Sequence, residues 1–332
     1  LVGARINPGQ FPTSPGARIW VGNGKGNFSD ETEKIFPKLK SIGMLTDSDW
    51  IDLDRNGENE LILVGDAMPI TVCSKRNGKW EIVTEEYFEV PQVGFWNDLE
   101  IADWDRDGTP ELIVGNHGLN SQLYASTDQP MEILYHDFDG NGSTDAILGY
   151  FVQGQKYPSP SRDEVLGQVN FLKKRYLDFK SFAEVKMEDL FSSEEREGAH
   201  SIFINRLETS YYKLGDKGKF EIRTLPIEVQ FSPAFAIEGT DLNRDGHLDL
   251  IIGGNLLDTK LKFGKLDASH GLVLLGNGSG TFQVLNSSTS GISQKGEIRG
   301  IVSLGNYLAI YVKGKGLYVY RDHLSKEKPV MP

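Results

Sequence analysis

Asp103-Trp104-Asp105-Arg106-Asp107-Gly108-Thr109-Pro110-Glu111-Leu112-Ile113-Val114-Gly115 is the stretch that decides the fold. Carboxylates stand at its first, third, fifth and ninth positions, a glycine follows the fifth, and an apolar run ending in glycine comes directly after the ninth. The pattern recurs on either side, at Asp52-Leu-Asp54-Arg-Asn56-Gly57-Glu58-Asn59-Glu60, Asp137-Phe-Asp139-Gly-Asn141-Gly142-Ser143-Thr144-Asp145 and Asp241-Leu-Asn243-Arg-Asp245-Gly246-His247-Leu248-Asp249. Each copy runs into its own apolar stretch: Leu61 to Gly65, Ala146 to Gly149 and Leu250 to Gly253. A short strand-forming segment precedes each copy, so the repeated unit reads strand, acidic loop, strand.

A second element repeats beside the first. Gly22-Asn-Gly-Lys-Gly-Asn-Phe28, Asn77-Gly-Lys-Trp80, Gly215-Asp-Lys-Gly-Lys-Phe220 and Gly276-Asn-Gly-Ser-Gly-Thr-Phe282 are glycine-rich turns closing on an aromatic. Tight hairpins need positive φ, which glycine and asparagine supply. A nucleotide-binding glycine loop would open a helix, whereas a strand follows here. Asp52 and Asp103 are 51 residues apart, and Asp137 and Asp241 are 104 apart, close to twice that period. The spacing predicts a blade between them that has lost its acidic loop. Four-stranded units of this period, set radially, make a propeller. The expected fold is therefore all-β, a single β-propeller domain over 1–332 of six or seven four-stranded blades, with a final loop-free unit from Gly296 to Arg321. Between 162 and 195, apolar residues recur every three to four positions (Leu166, Leu172, Tyr176, Phe179, Phe182, Met187, Leu190), which predicts one or two amphipathic helices inserted into it.

The acidic loops carry the chemistry. Hard cations take oxygen ligands, six to eight for calcium. The first, third, fifth and ninth residues supply carboxylate or amide oxygens: Asp52, Asp54, Asn56 and Glu60; Asp103, Asp105, Asp107 and Glu111; Asp137, Asp139, Asn141 and Asp145; Asp241, Asn243, Asp245 and Asp249. The seventh residue offers its backbone carbonyl, leaving its side chain free to vary: Glu58, Thr109, Ser143 and His247. An EF-hand would need a bidentate Glu at the twelfth position, which here holds Leu63, Val114, Leu148 and Ile252. About four Ca²⁺ ions are the expected cofactors. The second loop puts four carboxylates on one ion against three elsewhere, and charge count tunes affinity, so it is expected to bind tightest.

The Asp-x-Asp-x-Asn-Gly-x-x-Glu-Leu loops and Gly-x-Gly-x-Phe turns resemble FG-GAP/VCBS repeats, the modules of integrin α-chain propellers and many bacterial surface proteins. Val2-Gly-Ala-Arg-Ile-Asn-Pro-Gly9, Gly65-Asp-Ala-Met-Pro-Ile70, Gly115-Asn-His-Gly-Leu-Asn120 and Tyr157-Pro-Ser-Pro-Ser-Arg-Asp163 are similar to the carboxy-terminal propeller of large Bacteroidetes VCBS-repeat proteins, often associated with ASPIC/UnbV domains. The resemblance implies an exported protein, at the cell surface, outside the cell or in the periplasm, and no defined reaction. Leu1-Val-Gly3 matches the run that elsewhere follows an acidic loop, which suggests a chain that starts inside a blade and is a fragment of a longer one.

Composition excludes several classes. A net charge of -12 and a pI near 5.1 disfavour nucleic acid, whose phosphates call for a basic surface. One cysteine, Cys73, rules out an internal disulfide. No apolar run is long enough to span a membrane.

In a four-stranded up-and-down blade the acidic loops and glycine-rich turns share one face. The longer connections from Gly65 to Ile70, Gly115 to Ser121, Gly149 to Gly198 and Gly253 to Gly271 are then expected on the other, where a glycan or protein ligand would bind. Candidate ligand contacts are Asn116, His117, Asn120, Tyr157, Arg162, Asp163 and His270. Arg162-Asp163 reads equally as a structural ion pair, Lys173-Lys-Arg175 as a solvated helix face, His117, His200 and His270 as structural histidines, and Trp50, Trp96 and Trp104 as core residues. No nucleophile stands with an evident base, so no catalytic residue is assigned. The leading reading is a non-catalytic binding and adhesion module. The alternative is a calcium-dependent polysaccharide lyase using Tyr157, Arg162, His117 or His270.

Overall fold

A computed structural model of the protein describes residues 1–321. They are predominantly β, in several antiparallel sheets, and the chain divides into two compact units. The first holds residues 1–48, 60–96 and 123–207; the second holds, among the described residues, 49–59, 97–122 and 208–321.

In the first unit Val2–Gly3 pairs with Ala17–Arg18, and Trp20–Gly22 with Phe28–Asp30 across the first glycine-rich turn. A larger sheet runs in the order Met44–Ile51, Glu60–Pro69, Thr71–Arg76, Lys79–Ile82. Its second strand extends to Pro69, where a connection was expected from Gly65 to Ile70. The extra residues find a partner in Val93–Phe95, across a bulge between Asp66 and Met68. The third acidic loop belongs to a separate four-stranded sheet ordered Gln155–Pro158, Asp145–Val152, Met131–His136, His200–Ile204.

In the second unit one sheet joins Asp98–Ala102, Glu111–Gly115, Ser210–Leu214 and Phe220–Arg223. A second joins Ala234–Thr240, Asp249–Gly254, Leu272–Gly276 and Phe282–Leu285, and a third, of three strands, joins Ile298–Leu304, Tyr307–Val312 and Gly316–Arg321.

This topology corrects the reading of the 104-residue spacing. Among the described residues, no separate sheet lies in the chain between the Asp137 and Asp241 sheets. The chain leaves the Asp103 sheet after Gly115 and returns to it at Ser210, pairing Leu112 with Tyr212 and Ile113 with Tyr211. In chain order, the strands of the Asp137 sheet fall between the second and third strands of the Asp103 sheet, which pair directly with each other. The glycine-rich turns behave as expected: those at Gly22, Asn77, Gly215 and Gly276 each join two paired strands.

The apolar run after the first, second and fourth acidic loops is buried on both faces, as a central strand requires, while after the third Ala146 and Leu148 are half-buried and alternate with buried Ile147. Leu61, Ile62, Leu63 and Val64 are fully buried, as are Leu112, Ile113 and Val114. Burial of each such side chain stabilises the fold by roughly 1.5–3 kcal/mol. The glycine ending the run answers to crowding: a Cβ on Gly65 would lie 2.1 Å from the Met44 carbonyl oxygen, and one on Gly253 would lie 2.2 Å from Ile298 Cγ2.

The insertion differs from the one or two amphipathic helices expected over 162–195. It consists of three short pieces, a helix Arg162–Gln168, a 3₁₀ turn Asn170–Lys174 and a helix Phe179–Ala183, followed by turns up to His200. Capping boxes at Ser161/Glu164 and Asp178/Ser181 start the two helices separately, so no continuous helix forms. The periodic residues nevertheless pack together: Leu166, Leu172, Tyr176, Phe182, Met187 and Leu190 build a core with Leu134 and Ile147. Phe179 is the exception and stays exposed.

Candidate metal centres

The four acidic loops share one hydrogen-bond scheme. The carboxylate of the first residue accepts the N–H of the sixth-position glycine at 2.9 Å in every copy: Asp52 from Gly57, Asp103 from Gly108, Asp137 from Gly142, Asp241 from Gly246. The fifth residue's side chain accepts the N–H of the seventh: Asn56 from Glu58, Asp107 from Thr109, Asn141 from Ser143, Asp245 from His247. These bonds wind the chain so that alternate side chains turn inward. Two residues per loop take left-handed backbone. One is the sixth-position glycine, with φ between 85° and 87°. The other is the fourth residue, Arg55, Arg106, Gly140 or Arg244, with φ between 58° and 71°.

The ninth residue opens the following strand and is buried in every loop, at 0% exposure for Glu60, Glu111 and Asp249 and 5% for Asp145. One carboxylate oxygen is tied to the backbone near the loop's start: Glu111 accepts from Trp104, Asp145 from Phe138, and Asp249 from Leu242 and Asn243. Asp249 also accepts from Gly276 across the sheet, and Glu60 accepts from the Ser74 hydroxyl. Burial disfavours the charged form of such a carboxyl. It pushes Glu111 up to about 7, with the neighbouring Asp105 charge acting in the same direction. It also raises Asp145, helped by Asp139 and Asp137, and Asp249, helped by Asp245.

The donor set fits a hard divalent cation. Ligand oxygens of Asp103, Asp105, Asp107 and Glu111 lie within 4.8 Å of one another, as do those of Asp137, Asp139 and Asp145. Two oxygens on opposite sides of a calcium ion are about 4.6–5.2 Å apart, so this spread matches its coordination sphere. Asp103 Oδ1 and Glu111 Oε1 are buried without a hydrogen-bond donor, the condition that a cation relieves. In the fourth loop Asn243 donates to Asp245 at 2.9 Å, and Asp241 accepts from Asp245 as well as from Gly246.

Two further sets of residues shape the loops beyond the repeated acidic positions. Lys213, on the Ser210–Leu214 strand, reaches into the second loop. Its ammonium bonds Asp105, lies 2.6 Å from Asp107 and stands 3.7 Å from Glu111. That contact holds the Asp107 carboxyl below its ordinary range. The arginines at loop position four also act: Arg55 donates to Thr109 Oγ1 and the Asp107 carbonyl, Arg106 to His247 Nδ1, and Arg244 to Asn306. Three of the four copies carry this arginine, a recurrence visible in the sequence alone.

The ligand candidates hold varied positions. In the second unit Asn116 is fully buried and bonds Thr209, Glu208 and the His117 backbone. His117 Nε2 lies 3.0 Å from Ser121 Oγ, and burial pushes its imidazole down to about 4. Asn120 donates to the Phe231 carbonyl, and His270 is exposed, its carbonyl accepting from Gln294. In the first unit Tyr157 pairs with Tyr150 in the sheet. Arg162 donates to the carbonyls of Tyr176 and Leu177 and to the Asp163 carboxylate. Arg175 pairs with Glu195 through both terminal nitrogens. His200 packs on the Tyr135 ring, Trp96 and Trp104 are core residues, and Trp50 is exposed.

Residues 52–114, which span the first two acidic loops and most of the strand after the second, match the family model of the FG-GAP-like repeat. The crystal structure of the V. cholerae biofilm matrix protein Bap1 aligns with 94% of this chain and 69% of its own, at 11% identity and a TM-score of 0.32, a likeness too distant to bear on fold or activity. No curated protein matches the chain.

Proposed function

We propose that the chain is a calcium-loaded β-propeller of six or seven FG-GAP/VCBS-type blades that acts as a non-catalytic binding and adhesion module for a glycan or protein partner, outside the cell, at the cell surface or in the periplasm. The observation that carries the reading is the recurrence, in all four loops, of one hydrogen-bond scheme ending on a buried ninth-position carboxylate. A buried carboxylate with no cation is a liability, and the same liability installed four times calls for one common remedy. The side chains at positions one, three, five and nine, with the carbonyls of Glu58, Thr109, Ser143 and His247, would hold the ions. Bound calcium supplies a rigid cross-link between loop and strand. The chain's own residues orient it: the first-position aspartates fix the turn, and Trp104, Phe138 and Leu242 aim the ninth-position carboxylate by donating their N–H groups to it.

The resemblance to envelope propellers supports the location, and the engaged state of Arg162, held by two carbonyls and Asp163, supports a scaffold over a lyase centre. The test is a glycan array probed in calcium and in chelator, followed by incubation with uronate polymers. Calcium-dependent retention of a glycan class with no unsaturated sugar released supports the reading. Release of unsaturated uronates would replace it with a lyase.

A further inference from the structure

The second loop has the largest carboxylate set, and the ammonium of Lys213 lies among those carboxylates. Strand pairing sets this up. Leu112 stands opposite Tyr212, so the next residue, Lys213, comes beside Glu111 at the point where the loop enters the strand. Its side chain is 19% exposed, and its ammonium meets three of the four carboxylates: it bonds Asp105, lies 2.6 Å from Asp107 and is 3.7 Å from Glu111. Asp103 Oδ1 and Glu111 Oε1 remain buried without a hydrogen-bond donor, so the loop is neutralised on one side only. In the first, third and fourth loops the first-position oxygen is satisfied from within, by the fifth-residue N–H of Asn56, Asn141 and Asp245. In the second loop the Asp107 N–H turns to Asp105 instead, at 3.3 Å.

We propose that Lys213 is a built-in competitor for the divalent cation at the second loop, so that this loop holds its shape without metal and binds calcium more weakly than its charge count implies. The proposal rests on the calcium reading of the loops given above. It reverses the ranking expected from carboxylates alone. A calcium ion and an ammonium cannot share the oxygens of Asp105 and Asp107 at contact distance. Metal entry therefore requires Lys213 to swing out, and its low exposure and strand anchorage oppose that.

The experiment titrates calcium calorimetrically into the chelator-stripped full chain and into Lys213→Met, with Lys213→Arg as the charge-retaining control. Removing the competitor is expected to tighten one site by about tenfold or more, by the charge-count logic of oxygen sites. Lys213→Arg should keep the wild-type isotherm, and adding Glu111→Gln to Lys213→Met should abolish the gain. Identical isotherms for wild type and Lys213→Met would overturn the proposal while leaving calcium binding intact. Heat of binding absent from every chain would overturn the calcium reading and this proposal with it. Hydrogen exchange on the wild-type chain keeps the test decisive if Lys213→Met does not fold. Peptides over 103–111 should be as protected in chelator as in calcium, while those over 137–145 lose protection. Equal loosening of both segments would overturn the proposal.

Discussion

Replacing Asp145 by Asn should change the sign of its effect on stability when calcium is added. Asp145 is 5% exposed, accepts the Phe138 N–H at 3.1 Å and shares its loop with Asp137 and Asp139. Burial and those two charges raise its folded-state pKa. The stability it contributes is therefore complete below its unfolded pKa and is lost as pH rises through the folded value, so at pH 7 without metal the ionised group is a net cost. Asn keeps an acceptor for Phe138 and removes the charge, so in chelator Asp145→Asn should be neutral or mildly stabilising. With calcium the wild type gains linkage free energy, about 2.7 kcal/mol per site at a hundredfold excess over Kd, and the variant forfeits it at this loop. The assay is urea unfolding at pH 7 of both chains, in chelator and in calcium. The wild-type advantage should appear only with calcium, at about 2–3 kcal/mol. A variant destabilised by the same amount in both conditions would mean that Asp145 acts through its hydrogen bond alone and not as a calcium ligand.

His117 should impose a pH dependence of its own. Its folded pKa is depressed to about 4 by burial, so stability present above the unfolded value is lost as pH falls from about 6.5 to about 4, by at most roughly 3 kcal/mol, and His117→Asn should flatten that limb of an unfolding series. Arg106 sits at φ 62°, where a β-branched residue is strained by about 1–2 kcal/mol. Arg106→Gly should therefore shift the urea midpoint little, and Arg106→Val should lower it clearly; equal effects would show that the tie to His247 dominates.

The parts of the molecule legible in the sequence are those set by neighbouring residues. The acidic loops are local: first-position Asp to sixth-position Gly, and fifth residue to seventh, are contacts within a few positions. The hairpins at Gly22, Asn77, Gly215 and Gly276 are equally local. What escaped depends on pairing between distant segments. The interruption of the Asp103 sheet, in chain order, by the strands of the Asp137 sheet mimics a doubled repeat period, because an interposed sheet and a repeat without its loop lengthen the spacing alike. The strand's extension from Gly65 to Pro69 is not legible locally, because its partner, Val93–Phe95, lies in a different stretch of sequence. Lys213 carries no local signal, since only the Leu112–Tyr212 register brings it to Glu111. The capping sequences Ser161-Arg-Asp-Glu164 and Asp178-Phe-Lys-Ser181 did carry the signal that the insertion would break into short helices, and apolar periodicity masked it.

Bound calcium per chain, measured by elemental analysis after equilibration of the stripped protein at a series of free calcium concentrations at pH 7, tests the central claim most directly. Tight uptake is expected at the Asp52, Asp137 and Asp241 loops and a weaker further ion at the Asp103 loop, with the melting temperature rising in step with the tight class. A chain that binds no calcium at millimolar free concentration, or whose melting temperature is unmoved by verified loading, would contradict it.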